Sequence, residues 1–175
     1  PLLAAELADQ DPGDAVEALA EARRRHIVWA APADERVTFV HDKLREALLT
    51  RAPDHEVAAL HRAAARLIEG RDDGMSFELA YHYSAGGEHR RALPHALRAA
   101  AVARERHALG AAERHYRIAE AAGDALDEDA RRVIAGGLGE VLMLAGRYEE
   151  AQAHLERARD MAGDAPSRAA IDGRL

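Results

Sequence analysis

Residues 135–158 read AGGLGEVLMLAGRYEEAQAHLERA, and their pattern of large and small residues indicates the type of fold. A large–small pair, Leu138-Gly139, lies on one predicted helix, and Gly146-Arg147-Tyr148 marks a tight turn after it. A second helix then carries small and large residues at intervals of four and three positions: Ala151, Leu155 and Ala158. Glycine and alanine let two helices cross closely, while leucine and tyrosine fill the space between them. The stretch therefore predicts a tightly packed helical hairpin.

The composition of the whole chain points the same way. Of the 175 residues 48% are hydrophobic, but only 4% are aromatic, and alanine supplies much of the apolar total. A core of alanine and leucine indicates closely packed helices rather than a β-sandwich. The predicted fold class is accordingly mainly α.

Charge and cysteine usage exclude several classes of function. The net charge is −7 and 31% of residues are charged, a balance that argues against a broad nucleic-acid-binding face. With no cysteine, disulfides, thiol catalysis and cysteine-bound metal are excluded, which is typical of a reducing cytosol. No apolar run approaches the ~18 residues of a membrane span. We therefore expect a cytoplasmic protein without membrane contact. Because no initiator methionine is present, we also expect a piece of a longer protein.

The first third of the chain predicts a partial winged helix. A helix begins at Asp11-Pro12, where aspartate caps and proline is tolerated, and it ends in Arg23-Arg24-Arg25. Two short strands follow, residues 26–30 and residues 37–41, joined by a loop. A helix followed by a β-hairpin is the order of elements expected in the second half of a winged-helix domain.

The remainder is predicted to be helical, in two domains. Residues 70–74, Gly-Arg-Asp-Asp-Gly, form a polar linker and mark the predicted boundary. The first domain, residues 1–70, holds the winged-helix part and the helices after it. The second, residues 75–175, holds successive helices, the first of which is predicted to be capped by Ser76.

The candidate site is at the end of the second strand. Because strand side chains alternate, Val37, Phe39 and His41 point to one side, and Asp42 suits the N-cap of the next helix. An imidazole at the tip of a strand, beside the positive end of a helix, is well placed to contact a phosphate. The alternative is that His41 is only a partly exposed histidine at a strand end.

The second domain resembles the tetratricopeptide repeat. Leu138-Gly139, Leu142, Ala151, Leu155 and Ala158 match that template, with leucine where it has tyrosine. Weaker matches run from Leu79 through Ala96 and around Ala112 and Tyr116, at uneven spacing. The resemblance implies a short α–α superhelix whose concave surface binds a protein or small-molecule effector. The alternative is a spacer or scaffold that binds no ligand.

The chain as a whole resembles the STAND class of signal-transduction ATPases, including the large ATP-binding LuxR-type bacterial regulators. The residues that carry this resemblance are Phe39–Leu48 together with Leu60-His61-Arg62. Val40-His41-Asp42 resembles the methionine-histidine-aspartate motif of the class, which lies in its winged-helix domain. The resemblance implies that His41 senses the β-phosphate of ADP, that Asp42 fixes the local turn, and that an ATPase core precedes the winged helix.

This chain is predicted to have no enzymatic activity of its own. It has no G-x-x-x-x-G-K-[ST] phosphate loop, because its single lysine, Lys43, follows an aspartate rather than a glycine. No serine lies in a nucleophile-elbow context. We therefore predict no cofactor in this chain, and ATP or ADP only in the parent protein. The predicted function is the sensing arm of a cytosolic ATP-dependent transcriptional regulator.

Three other interpretations remain open. The ten histidines are scattered without an H-E-x-x-H motif, so no metal ligands are assigned, although distant helices could assemble a zinc site. The helix from Pro12 to Arg25 occupies the place of a DNA-recognition helix, but Asp14, Glu17 and Glu21 make its middle acidic, which disfavours DNA contact. The chain could also be a free-standing tetratricopeptide-like adaptor for protein partners.

Overall fold

The structure is a computed structural model, and it describes residues 5–7, 10–30, 37–70, 74–162 and 173. These residues are mainly helical, with a two-stranded antiparallel β-hairpin, so the prediction is confirmed at this level. The elements are α1 (Pro12–Arg24), β1 (Val28–Ala30), β2 (Val37–Phe39), α2 (Asp42–Arg51), α3 (Asp54–Glu69), α4 (Ser76–Ala85), α5 (His89–Glu105), α6 (Leu109–Glu120), a short 3-10 helix (Gly123–Ala125), α7 (Glu128–Leu144) and α8 (Tyr148–Asp160).

The chain divides into two compact units, Pro1–Ala64 and Ala65–Leu175, and the division falls inside α3. The domain boundary predicted from the sequence lies in the polar linker at residues 70–74. Residues 71–73 of that linker lie outside the described residues.

In the first unit, a helix and a hairpin follow each other directly. Asp11 accepts a hydrogen bond from the Gly13 backbone N–H at 2.7 Å, as its predicted capping role requires. The predicted first strand, residues 26–30, is too long. His26 has φ 54°, a left-handed conformation that ends α1 and cannot belong to a strand. The strands pair Val28 with Phe39 and Ala30 with Val37.

The second unit repeats one turn geometry three times. Gly87, His107 and Gly146 have φ of 77°, 57° and 77°, and each lies two residues beyond the end of a helix. The next N–H bonds back to a carbonyl five residues earlier, as in Glu88 to Tyr83 at 2.8 Å and Arg147 to Leu142 at 2.9 Å. This is the Schellman arrangement, and it turns the chain sharply enough for successive helices to pack together. The turn predicted at Gly146 is confirmed.

Alanine and glycine set the distance between these helices. The buried residues of α5 are all alanine, namely Ala92, Ala96, Ala99, Ala100 and Ala103, and α5 packs against both α4 and α6. A Cβ atom at Gly137 would clash with the Tyr116 ring, and one at Gly139 would lie 2.6 Å from Leu155 Cγ. The pattern of large and small residues in the sequence therefore corresponds to close contacts between helices in the structure.

Two helix starts differ from the sequence predictions. Met75, not Ser76, is the N-cap of α4, and Ser76 is a buried residue of the first turn that makes no capping bond. The Ser76 side chain is buried in the core, whereas an N-cap side chain turns towards the N–H groups of the first helical turn. By contrast, Asp127 caps α7 with its side chain and accepts from the Ala130 N–H at 2.7 Å.

The end of α3 is held to α4 and α5 by a polar cluster of Glu69, Tyr83 and Arg91. The buried Tyr83 hydroxyl donates to Glu69 Oε2 at 2.7 Å, and Arg91 Nη2 donates to the same oxygen at 2.8 Å. The Arg91 guanidinium also lies 4.5 Å from the centre of the Tyr83 ring. The ring thus packs between helices while its hydroxyl is satisfied.

Candidate functional site

His41 lies where the hairpin passes into α2. The Val40 N–H donates to the Ile27 carbonyl at 3.0 Å, which extends the strand pairing beyond Phe39. His41 then has φ −133° and ψ 128°, an extended conformation, and its carbonyl accepts the first helical bond, from the Leu44 N–H at 3.0 Å. The imidazole is exposed and makes no hydrogen bond to the first turn. The structure therefore presents this side chain to solvent at the start of a helix.

Asp42 was predicted to be the N-cap of this helix, and that prediction is wrong by one residue. His41 is the N-cap, because its backbone is extended while its carbonyl already bonds into the helix, and Asp42 is the first helical residue. The Asp42 carboxylate still lies in the first turn, where the helix dipole favours negative charge. Both predicted site residues are thus neighbours at the positive end of α2.

The chemistry available at this position is anion contact through the imidazole. Because the His41 side chain does not cap α2, it does not satisfy the first-turn N–H groups, which point in the direction an anion would occupy. Both His41 and Asp42 are exposed, so neither the imidazole nor the helix start is enclosed by neighbouring side chains. His41 and Asp42 at the start of α2 can therefore form only one side of a binding site.

Several apolar side chains of α2 and of the hairpin are exposed. No residue of α2 is buried, and Leu48 of this helix is 54% exposed. On the hairpin, Trp29 is 62% exposed and Val40 43%.

The other histidines form no metal site in the described residues. There, no group of three or more histidine or carboxylate side chains is close enough to hold an ion. His154 is buried instead against Arg157, whose Nη2 lies 2.6 Å from His154 Nδ1. Burial lowers the pKa of His154, and the charges of Arg157 and Arg117 lower it further. Since Arg157 can only donate, the bonded ring nitrogen carries no proton.

His115 is a second buried histidine with a packing role. Its ring meets the Phe77 ring edge-on, with centroids 4.8 Å apart, and its Nδ1 has no hydrogen-bond partner among the described residues. Burial lowers its pKa. Both His115 and His154 therefore act as neutral core side chains.

The sequence analysis did not predict a concave surface that the second unit contains. An open groove of about 610 Å³ runs between the start of α4 and the outer part of α5. Its basic residues are Arg98 and Arg106, and Val102 lies between them on the same helix face. The signal was present as a basic–apolar–basic pattern at four-residue spacing, but in sequence it resembles an ordinary solvated helix face.

Comparison of the chain with models of protein families, with curated protein sequences and with solved structures finds no match in any of the three. Among the helices of the described ranges, none has both the length and the apolar character needed to cross a bilayer.

Proposed function

We propose that this chain is the regulatory and sensing arm of a cytosolic, ATP-dependent signalling protein of the STAND class, a transcriptional regulator of the LuxR type. In this proposal the first unit is the second half of a winged helix that contacts a nucleotide-binding ATPase core. The second unit is a tetratricopeptide-like superhelix that binds a protein or small-molecule effector.

The position of His41 is the observation that carries the proposal. An exposed imidazole at the N-cap of α2, with no bond to its own helix, is free to reach a phosphate held by another domain. Exposed apolar side chains of the same unit, such as Trp29 and Leu48, are available to a covering partner, and the proposal assigns that role to an ATPase core. In the intact protein His41 would contact the β-phosphate of ADP, and Asp42 would hold the turn.

The helical part supports a tetratricopeptide-like arrangement through its turns and close contacts. The residues at the template positions of α7 and α8 are buried, as helix pairs of this kind require: Leu138, Gly139, Leu142, Ala151, Leu155 and Ala158. The same turn recurs after α4, α5 and α7. Stacked hairpins of this kind build extended surfaces for partners.

No catalytic step is assigned to this chain, because it has no phosphate loop to hold ATP. ATP or ADP is proposed for the parent protein alone. DNA contact by α1 is not part of the proposal, since Asp14 and Glu17 place negative charge on its exposed face.

The second candidate is a free-standing adaptor. It is favoured by the buried core of α4 to α8, which is built from residues of the second unit. The sequence of the gene upstream of the Pro1 codon separates the two candidates. A phosphate loop there, in frame and followed by the remaining half of a winged helix, supports the regulator. A continuous open reading frame without such a loop supports the adaptor and contradicts the regulator.

A further inference from the structure

The second unit contains a small cavity where α6, α7 and α8 meet. Its volume is about 180 Å³, and its lining comes from the end of α6, from the residue after the 3-10 helix, and from α7 and α8. At this junction α6 and α7 are joined by the 3-10 helix Gly123–Ala125, not by the sharp turn that follows α4, α5 and α7. The cavity therefore belongs to a connection that departs from the repeated turn.

The inner part of the lining is apolar. Leu126, Ile134 and Ala135 are each at most 9% exposed, and Met161 at the end of α8 is half-buried. Leu126 is held in place because its N–H donates to the Gly123 carbonyl at 3.1 Å. An engineered apolar cavity of about 150 Å³ binds benzene. The cavity between these helices is of similar size, so it favours a small ligand with an apolar body.

The charged part of the lining favours an anionic group on that ligand. Arg131 and Arg157 are exposed members of the lining, and Glu120 is half-buried. The Glu120 carboxylate lies 3.1 Å from Arg117 Nη1 and 3.8 Å from Arg157 Nη1, so its nearer partner is outside the lining. Two guanidinium groups thus face one carboxylate that is already paired. Guanidinium groups bind carboxylates through charge-assisted hydrogen bonds.

We propose that this cavity binds a small monocarboxylate, with its apolar body on Ile134 and Met161 and its carboxylate on Arg131 and Arg157. Sites for drug-sized ligands have volumes of about 300–1,000 Å³, so this one admits only smaller molecules. Glu120 opposes the ligand carboxylate and lowers its affinity. The site goes beyond the proposed function, and it holds for a regulator and for an adaptor alike because its residues all belong to the second unit.

The test titrates para-fluorobenzoate with the 175-residue chain and follows the fluorine NMR linewidth of the ligand. We expect saturable binding with a Kd on the order of 1 mM or tighter, since the ligand is small. Arg131→Gln should weaken binding about threefold, as for the loss of an exposed ion pair. Arg132→Gln is the matched control: it removes the same charge from the next residue, which pairs with Asp129 and does not line the cavity, and it should leave the Kd unchanged.

A second pair of variants tests the opposing carboxylate. Glu120→Gln should tighten binding about threefold, because a like charge beside the ligand is removed. Glu156→Gln removes a carboxylate from an exposed position of α8 outside the lining, and should leave the Kd unchanged. A gain of affinity cannot arise from misfolding, so this pair keeps the test decisive if Arg131→Gln is unstable.

Three further ligands separate charge from apolar contact. The neutral para-fluorobenzyl alcohol should bind at least about threefold more weakly than the acid, and the cationic para-fluorobenzylamine more weakly again. Acetate, which has the carboxylate without the apolar body, should not compete at the same concentration. The proposal is overturned if para-fluorobenzoate shows no saturable binding, if the alcohol or the amine binds as tightly, if acetate displaces it, if Arg132→Gln weakens binding as much as Arg131→Gln, or if Glu120→Gln leaves it no tighter.

Discussion

At the scale of single residues, two glycines of α7 act as spacers between helices. Gly137 faces the Tyr116 ring of α6, and Gly139 faces Leu155 of α8. Gly136, between α7 and Ala158, has room for a methyl group because the nearest atom would lie 4.0 Å away. Alanine should therefore be tolerated at Gly136 but not at Gly137 or Gly139.

Gly137→Ala should lower the free energy of unfolding by about 1–3 kcal/mol, because the added methyl overpacks a buried contact with Tyr116. Gly136→Ala should raise it by up to about 1 kcal/mol, since alanine is the better helix former. Urea unfolding followed by circular dichroism measures both. Equal effects of the two substitutions would show that α6 and α7 do not approach closely at Gly137.

The buried histidines predict a dependence of stability on pH. Burial, with Arg157 and Arg117 nearby, holds the pKa of His154 below its ordinary value of 6.5. Below pH 6.5 the unfolded chain binds a proton at this position that the folded chain does not, so stability should fall from pH 7 towards pH 5. His154→Gln should reduce that slope, measured by urea unfolding across the range. His55→Gln, at an exposed histidine, is the control. Identical slopes for His154→Gln and the parent chain would contradict the neutral, buried state.

At the scale of elements, the turns after α4, α5 and α7 depend on one left-handed residue each. Glycine occupies this position at Gly87 and Gly146, where it carries no steric penalty, while His107 takes the same conformation without that freedom. The Ala108 N–H still bonds the Ala103 carbonyl at 2.9 Å, so the turn forms despite the strain.

Gly146→Ala should destabilise the chain by about 1 kcal/mol, because its φ of 77° is unfavourable for any residue with a Cβ. Gly110→Ala should be neutral or stabilising by up to about 1 kcal/mol, since Gly110 lies inside α6. A Cβ would meet no atom within 4 Å at either position, so the pair differs only in backbone conformation. Thermal unfolding of both variants is the measurement. A loss of stability in Gly110→Ala matching that of Gly146→Ala would exclude the turn geometry as the cause.

The helices could be predicted from the sequence to within about two residues, because glycine, proline and aspartate mark their ends and apolar spacing marks their faces. Asp127 and Gly146 are examples. The turn at His107 had no such mark, since a positive φ is uncommon for any residue other than glycine. The start of α4 was misplaced because Ser76 is buried by tertiary packing, which outweighs the local preference for a serine cap.

At the scale of the whole molecule, the two compact units differ in how deeply their helices are packed. The helix α2 has no buried residue, whereas α5 buries five alanines and α7 buries seven residues. The position of His41 could be predicted because it depends on a local strand–helix junction. The groove of Arg98 and Arg106 could not, because it exists only when α4 packs against α5.

Hydrogen exchange should reveal this difference directly. Backbone amides of α2 should exchange at least about 100-fold faster than those of α5 and α7, because few buried contacts oppose local opening there. The measurement is exchange mass spectrometry on the 175-residue chain. If the amides of α2 exchanged as slowly as those of α7, α2 would be covered in solution. Its apolar side chains would then not be available to a partner.

The ADP content of the purified parent protein that we propose decides whether His41 senses a nucleotide. His41→Ala should lose most of the bound ADP that the unmodified protein retains, because the imidazole contact to the β-phosphate is gone. His55→Ala removes another exposed histidine, at the start of α3, and should retain ADP fully. Equal ADP occupancy in the unmodified protein and His41→Ala would contradict the account.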